Sequence, residues 1–343
     1  MAENDALTPT WSVLICCHNS AARVQKTLEA VANQTILRHS TVELLVVDNA
    51  STDNTQEVVK RFQLPSALFL KIVVEPRPGL SFAREAAIAH ARGRYLCFLD
   101  DDNDAAPDYL EVAQEIFEAR KEVCFCGGQS FWPVDAINSL PLIAKIFSKS
   151  VAVGEQRSTD GILPLGDFLW GAGLCLRAGD VRWLYEAGLR PLLSGRMGKR
   201  VLSGEDGELT ILMQLTGRRG YYSSRLRLTH RVELVRLRTA YFSRLFFGMG
   251  MAAPVIEAYR SAVERLVGPV RPTAIPGTTW SARFQRMRNF SVPAVLGGVA
   301  LYCWLGICFV RGRVRSKFNR LPYSAERQAE RLFERLRDER ECV

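Results

Sequence analysis

Hydrophobic positions in the first hundred residues come in short unbroken runs separated by polar, helix-patterned segments. Trp11–Cys17, Val42–Asp48, Leu70–Glu75 and Arg94–Leu99 are apolar without clean alternation, which is how strands buried on both faces of a parallel sheet read. Between them, Val24, Leu28 and Val31 share a helix face behind Ser20 as N-cap, Val58, Val59 and Phe62 follow Asp53, and an alanine-rich helix starts at Ser81 and stops before Gly93. Strand–helix alternation with short connections predicts a doubly wound α/β sheet. Ligands of such sheets bind beyond the carboxyl ends of the strands. That rule selects residues 17–20, 48–53, 75–84 and 100–104, and all four segments are polar.

After residue 120 the pattern is mixed, with apolar Val123–Gly128, glycine-rich Trp170–Arg177, a helix after Gly204 and another from Thr239 to Tyr259. Gly268–Gly277 reads as a linker. Ser291–Val310 carries no charge over 20 positions and is bracketed by Arg283, Arg286 and Arg288 on one side and Arg311, Arg313 and Arg315 on the other. It is long enough to cross a hydrocarbon core, to lie in its interface, or to pack on the sheet as a core helix. Ser324–Glu341 is dense in charge, with Leu332, Phe333 and Leu336 as a thin stripe, and reads as a solvated surface helix. Two regions are expected, residues 1–254 and a basic helical region 255–343.

Charge and cysteine content sharpen this division. Residues 255–343 hold 16 Lys and Arg against 8 Asp and Glu, so nearly all of the +9 net charge of the 343-residue chain sits in the tail. An anionic partner for the tail follows, and a membrane surface met through 283–317 fits better than nucleic acid, because these arginines flank an apolar run and do not interleave with aromatics. The nine cysteines form no CxxC pair and several lie in apolar runs, as buried reduced thiols do. The polar, acidic start before Trp11 is unlike a secretory signal, so the expected location is cytoplasmic, at the inner face of the cell membrane.

Candidate chemistry lies at the predicted strand ends. Asp100, Asp101 and Asp102 directly follow an apolar strand, and three adjacent carboxylates call for a cation such as magnesium or manganese. An acidic turn capping the next helix is the plainer alternative. Asp48 can accept hydrogen bonds from a base or ribose, while Ser51 or Asp53 caps a helix. Arg84, in the first turn of a helix and therefore unfavourable for its dipole, suggests an anionic partner, although a surface ion pair competes. Glu205, Asp206 and Glu208 stabilise a helix start, and one of them could deprotonate a hydroxyl as general base.

Five of these segments, Cys17-His18-Asn19-Ser20, Val46 to Asp53, Gly79 to Arg84, Phe98 to Asp102 and Gly204-Glu205-Asp206, occur in an order that resembles family 2 glycosyltransferases of the GT-A fold. The resemblance spans roughly Pro9 to Gly250. It implies a GT-A-type, Rossmann-like mixed sheet and inverting transfer of a sugar from a nucleoside diphosphate sugar to a glycan or lipid-linked acceptor. On this resemblance His18, Asn19, Asp48, Arg84, Asp100 and Asp101 contact the donor, Trp170 and Gly171 belong to a loop closing on donor and acceptor, and Asp100 and Asp102 hold a divalent metal. Asp206 is the base, assisted by Glu205 or Glu208, and His230 falls where some relatives carry a metal or diphosphate ligand, with a purely structural histidine as the alternative. The chain departs from the common pattern at His18, Glu85 and Asn103. Sugar nucleotidyltransferases are disfavoured because no glycine-rich loop follows the first strand, and haloacid-type phosphatases because the acidic triplet follows the fourth. A catalytically inactive nucleotide-sugar-binding or scaffold protein is the remaining alternative.

Overall fold

The computed structural model describes residues 9–197, 200–268, 307, 308, 310, 311 and 321–341. Strands β1 (Trp11–Cys17), β2 (Val42–Asn49), β3 (Leu68–Glu75) and β4 (Tyr95–Asp100) form a parallel unit in the order β3-β2-β1-β4, with helices α1 (Val24–Ala32), α2 (Thr55–Arg61) and α3 (Leu80–His90) as crossovers. β1 alternates: Trp11, Val13, Ile15 and Cys17 join one core cluster with α1 and α4 (Tyr109–Ala119), whereas Leu14 joins the opposite cluster with α3. Both faces are covered, which explains the unbroken apolar runs.

Beyond β4 the sheet becomes mixed. The short β5 (Asn103–Ala105), then β6 (Val123–Phe131), β7 (Gly161–Ile162), β8 (Leu174–Arg177) and β11 (Arg219–His230) extend it as β4-β8-β6-β11-β5, with β7 beside β11. β9 (Gly195–Met197) and β10 (Arg200–Leu202) make a separate antiparallel pair. Helices α5 (Leu142–Ile146), α6 (Ala178–Glu186), α7 (Glu205–Met213) and α8 (Thr239–Val267) complete the main body.

Some expectations shift. Ser20 does not cap α1, whose N-cap is Arg23; the Ser20 hydroxyl donates to Asp101 instead. α8 runs uninterrupted past the expected division at 254/255. The last helix, α9 (Leu321–Glu341), is not a solvated surface helix: Ala325, Gln328, Ala329 and Leu332 are buried on one side. Their spacing of three and four residues, with two alanines, lets it approach α8 closely. Most of the uncharged stretch 291–310, the linker beyond Gly268 and most of 283–317 lie outside the described residues. Among the described residues no helix is long and apolar enough to cross a membrane.

The seven described cysteines are all free. Cys97, Cys175 and Cys126 sit side by side across β4, β8 and β6 and are fully buried.

Gly128 in β6 meets an irregularity of β11, where register shifts between Tyr222 and Arg227. A Cβ there would lie 2.0 Å from the Leu226 carbonyl oxygen and 2.4 Å from that of Ser223. Both obstacles are backbone, so Gly128→Ala is expected to destabilise the fold by about 1–3 kcal/mol, measured as a lowered urea midpoint. An unchanged midpoint would mean that β11 yields freely at this point.

Candidate active site

The four polar segments selected at the strand ends meet at one edge of the sheet. The β1–α1 turn is built by backbone conformation and cross-links: Asn19 is left-handed at φ 51°, and its side-chain oxygen accepts from Thr52 N–H at 2.8 Å. His18 lies exposed, its Nδ1 2.7 Å from the Asn49 carbonyl oxygen. Asp48 is buried and accepts the Ser51 N–H at 3.2 Å. Asp53 accepts the N–H of Ala21 and of Thr55, the second fixing the start of α2. Asn49, which the sequence reading left unassigned, donates to the carbonyls of Glu75 and Arg77 and accepts from Gly79 N–H at 2.8 Å, clamping the turn into α3.

The three aspartates after β4 have separate fates. Asp101 turns away toward α1, accepting from Ser20 and pairing with Arg23 at 2.8 Å. Its burial and the neighbouring Asp102 charge still raise its carboxyl. Asp100, Asp102 and His230 instead present ligand atoms all within 4.8 Å of one another. Pairing of β5 with the end of β11 sets His230 opposite Asn103, one residue from Asp102, and brings His230 Nε2 to 3.3 Å from Asp102 Oδ1. His230 Nδ1 faces the Ala152 carbonyl oxygen at 3.5 Å, so Nε2 is the nitrogen presented to the carboxylates. Two carboxylates suit magnesium or manganese, and the imidazole beside them favours a transition metal such as manganese over magnesium.

Arg236 was not anticipated. It lies in a 3₁₀ turn after β11, is nearly buried, and places Nη1 2.8 Å from Asp102 Oδ2 while its Nε and Nη2 reach no acceptor. Burial would raise the Asp102 carboxyl, but His230 and Arg236 outweigh it and hold the group well below the usual carboxylate range. In the sequence Arg236 is one of three arginines within eight residues, with Arg231 and Arg238, and the flanking Val232 and Leu237, both buried, are the only signal of a turn folded onto a core.

Across the edge, α7 begins at Gly204, left-handed at φ 131°, and presents Glu205 and Asp206 in its first turn. Asp206 accepts the Gly171 N–H at 2.8 Å, so the Trp170–Gly171 loop and the α7 start are joined. Arg84 is buried between them: Nη1 lies 3.7 Å from Glu205, and a Cβ at Gly171 would fall 2.3 Å from its Nη2. Any larger residue at 171 would have to displace the Arg84 guanidinium. Burial would lower the Arg84 guanidinium, yet the charges of Glu205, Asp100 and Asp206 raise it. Burial, then the Asp206 charge, raises the Glu205 carboxyl. Burial pushes the Cys16 thiol up to about 12 despite Arg84.

The comparisons with known proteins bear on the family and the fold. Residues 12–143 match the family model of glycosyl transferase family 2. Over residues 12–143, the resemblance to glycosyltransferase family 2 read in the sequence is thus borne out. It is 36% identical over 103 residues to the glycosyltransferase AglE of Haloferax volcanii, an alignment that covers 30% of this chain and 34% of AglE. It is 30% identical over 109 residues to the chondroitin synthase of Pasteurella multocida, covering 32% of this chain and 11% of that protein. The chain thus spans less than half the length of the curated relatives it matches. Among solved structures, the mannosyltransferase PcManGT of Pyrobaculum calidifontis, in complex with GDP-Man and Mn2+, has the same fold, with a TM-score of 0.55 at 19% identity over 93% of this chain and 90% of that one.

Glu208 is the third acidic residue of α7 and points inward. It accepts the N–H of Leu192 and Leu193 at 2.8 and 2.9 Å and the Tyr259 hydroxyl at 2.7 Å. Gln328 of α9 donates to Tyr259 at 2.8 Å and accepts from Arg190 N–H. Burial pushes the Glu208 carboxyl up to about 7, from an unfolded value of 4.5. Between those values the folded chain keeps a proton that the unfolded chain has released, so this group's contribution is full below pH 4.5 and is lost as pH rises toward 7. Glu208→Gln has no such proton to lose. Relative to the variant, the wild-type chain is expected to lose up to about 3 kcal/mol across that window, read from urea midpoints at a series of pH values. Parallel profiles would show that Glu208 is already ionised in the folded state.

Proposed function

We propose that the protein is an inverting glycosyltransferase moving a sugar from a nucleoside diphosphate sugar, a UDP-sugar first, to a hydroxyl of a glycan or lipid-linked acceptor in cell-surface polysaccharide or glycolipid assembly. The observation that carries this reading is the opposition, across Arg84, of the Asp100–Asp102–His230 group and the Glu205–Asp206 pair. The GDP-Man and Mn2+ of PcManGT and the polysaccharide product named for chondroitin synthase support the donor class and the pathway type. Residues 283–317 would attach the catalytic domain to the inner face of the cell membrane.

In this reading the nucleoside binds against Asp48 and the His18–Asn19 turn, with Asp100 at the ribose. Asp100, Asp102 and His230 would hold a divalent cation, magnesium or manganese, which when bound offsets charge on the leaving diphosphate. Arg236, whose two spare nitrogens lack acceptors, turns to the same diphosphate. Asp206 takes the acceptor proton as the hydroxyl attacks the anomeric carbon from the face opposite the diphosphate, and Arg84 keeps the neighbouring carboxylates together without mutual ejection. Glu205 stays closer to Arg84 and assists. Asp101 supports the site through Ser20 and Arg23.

Calorimetry with UDP, GDP and dTDP, with manganese or with chelator, tests the reading directly. Tight binding of one nucleotide only with metal is expected, and binding of none would favour an inactive scaffold. In Asp102→Ala the metal-dependent binding is expected to vanish; unaltered binding would move the metal elsewhere. Asp206→Asn is expected to bind nucleotide nearly as the wild type while turnover falls by about two orders of magnitude or more. Full turnover in that variant would remove Asp206 from the role of base.

A further inference from the structure

We infer that the apolar face formed by residues 131–137 and 234–235 is a lipid-docking surface that seats the donor-binding edge of the sheet on an anionic bilayer. The face crowns a third core cluster, separate from the two that sandwich the sheet, built from residues such as Ile143, Phe147, Val232, Leu237 and Phe242. Trp132 and Leu142 pack against that cluster, as do Val232 and Leu237 within it, so the segments between them lie on its outer side. There Val134 is 86% exposed and Leu234 71%, with Phe131, Ile137 and Val235 also exposed. Single exposed apolar residues are ordinary; five on two segments flanking one cluster, with Phe131 at the end of β6 opposite Thr229 of β11, are more than scattered exposure and point to an interaction site.

Two observations choose the occupant. Cys308 packs on the same cluster, and its neighbours Ile307 and Val310 are exposed, so the end of the uncharged, arginine-flanked stretch 291–310 converges on this face. The rim is cationic: Lys145, Arg238, Arg244 and Arg311 are exposed on these segments against Asp135 and Glu233. An apolar centre with a basic rim complements an interface of acyl chains and anionic headgroups. A second copy of the chain fits poorly, since a two-fold contact would oppose two basic rims. The face also adjoins the site: Arg236, paired with Asp102, follows Val235 directly. Docked this way, a lipid-linked acceptor would present its headgroup hydroxyl beside the donor edge, and to that extent the inference rests on the acceptor proposed above.

Flotation of the full chain with vesicles of phosphatidylcholine containing about a third phosphatidylglycerol tests it. The wild type is expected to float with these vesicles and to be released by salt. Val134→Glu combined with Leu234→Glu, both at exposed positions that folding does not use, is expected to weaken partitioning by about tenfold. Phe69→Glu with Val74→Glu, likewise exposed apolar residues but on the edge strand β3, is the control and should float as the wild type. Vesicle binding unchanged in the 134/234 variant, or no wild-type flotation, overturns the proposal, as does a dimer that the 134/234 variant dissociates. Nucleotide binding measured on the same proteins keeps the two readings apart. Absence of nucleotide binding in the wild type would sink the transferase, whereas the docking surface stands or falls on flotation.

Discussion

The site depends on how the chain tolerates many carboxylates at one sheet edge. Asp100, Asp101 and Asp102 are contiguous, and Glu205 and Asp206 face them, an arrangement that like-charge repulsion and burial both oppose. Arginines from separate segments answer this: Arg23 pairs with Asp101, Arg84 with Glu205, and Arg236 with Asp102. Each is at least partly withdrawn from water, where removing one partner strands the other charge. The sheet edge can therefore close only when α1, α3, α7 and the turn after β11 are all in place, and closing it assembles the site.

This coupling explains what the sequence could disclose. The parallel strands were legible because burial on both faces leaves unbroken apolar runs, and the acidic triplet was legible because it directly follows one of them, at the edge where such sheets bind ligands. The mixed half of the sheet was not, because β5 is three residues long and β8 four, too short to carry a period. His230 stood alone in sequence, and only the β5–β11 register gives it Asp102 as a neighbour. Arg236 looked like any residue of a basic tract until the 3₁₀ turn buried it. Ser20 was read as a helix cap from its position, yet the nearby carboxylate of Asp101 is the stronger acceptor and takes its hydroxyl.

The Trp170–Gly171 loop shows how little freedom remains. Gly171 donates its N–H to Asp206 while its missing side chain leaves room for Arg84. One residue thus holds the acidic helix start and the buried cation at fixed separation. Gly195 does the same on the other side, left-handed at φ 68° and within 3.2 Å of Glu205 at its would-be Cβ. Backbone shape, with no chemistry of its own, sets where the carboxylates can stand.

The C-terminal helix joins this scaffold. Its charge suggested a solvated helix, but Gln328 reaches Tyr259, Tyr259 reaches Glu208, and Glu208 holds Leu192 and Leu193 ahead of β9. α9 is thereby hydrogen-bonded to the same helix that presents Glu205 and Asp206, while α8 carries the third apolar cluster at its start. Arg265 near the end of α8 pairs with Glu326 and Glu330 of α9, and Cys308, among the described residues between the two helices, packs on the third cluster. A surface that draws the third cluster to lipid would therefore act on the helix α8, which is hydrogen-bonded through Tyr259 to α7, where Glu205 and Asp206 stand, so attachment and the candidate site would share one frame.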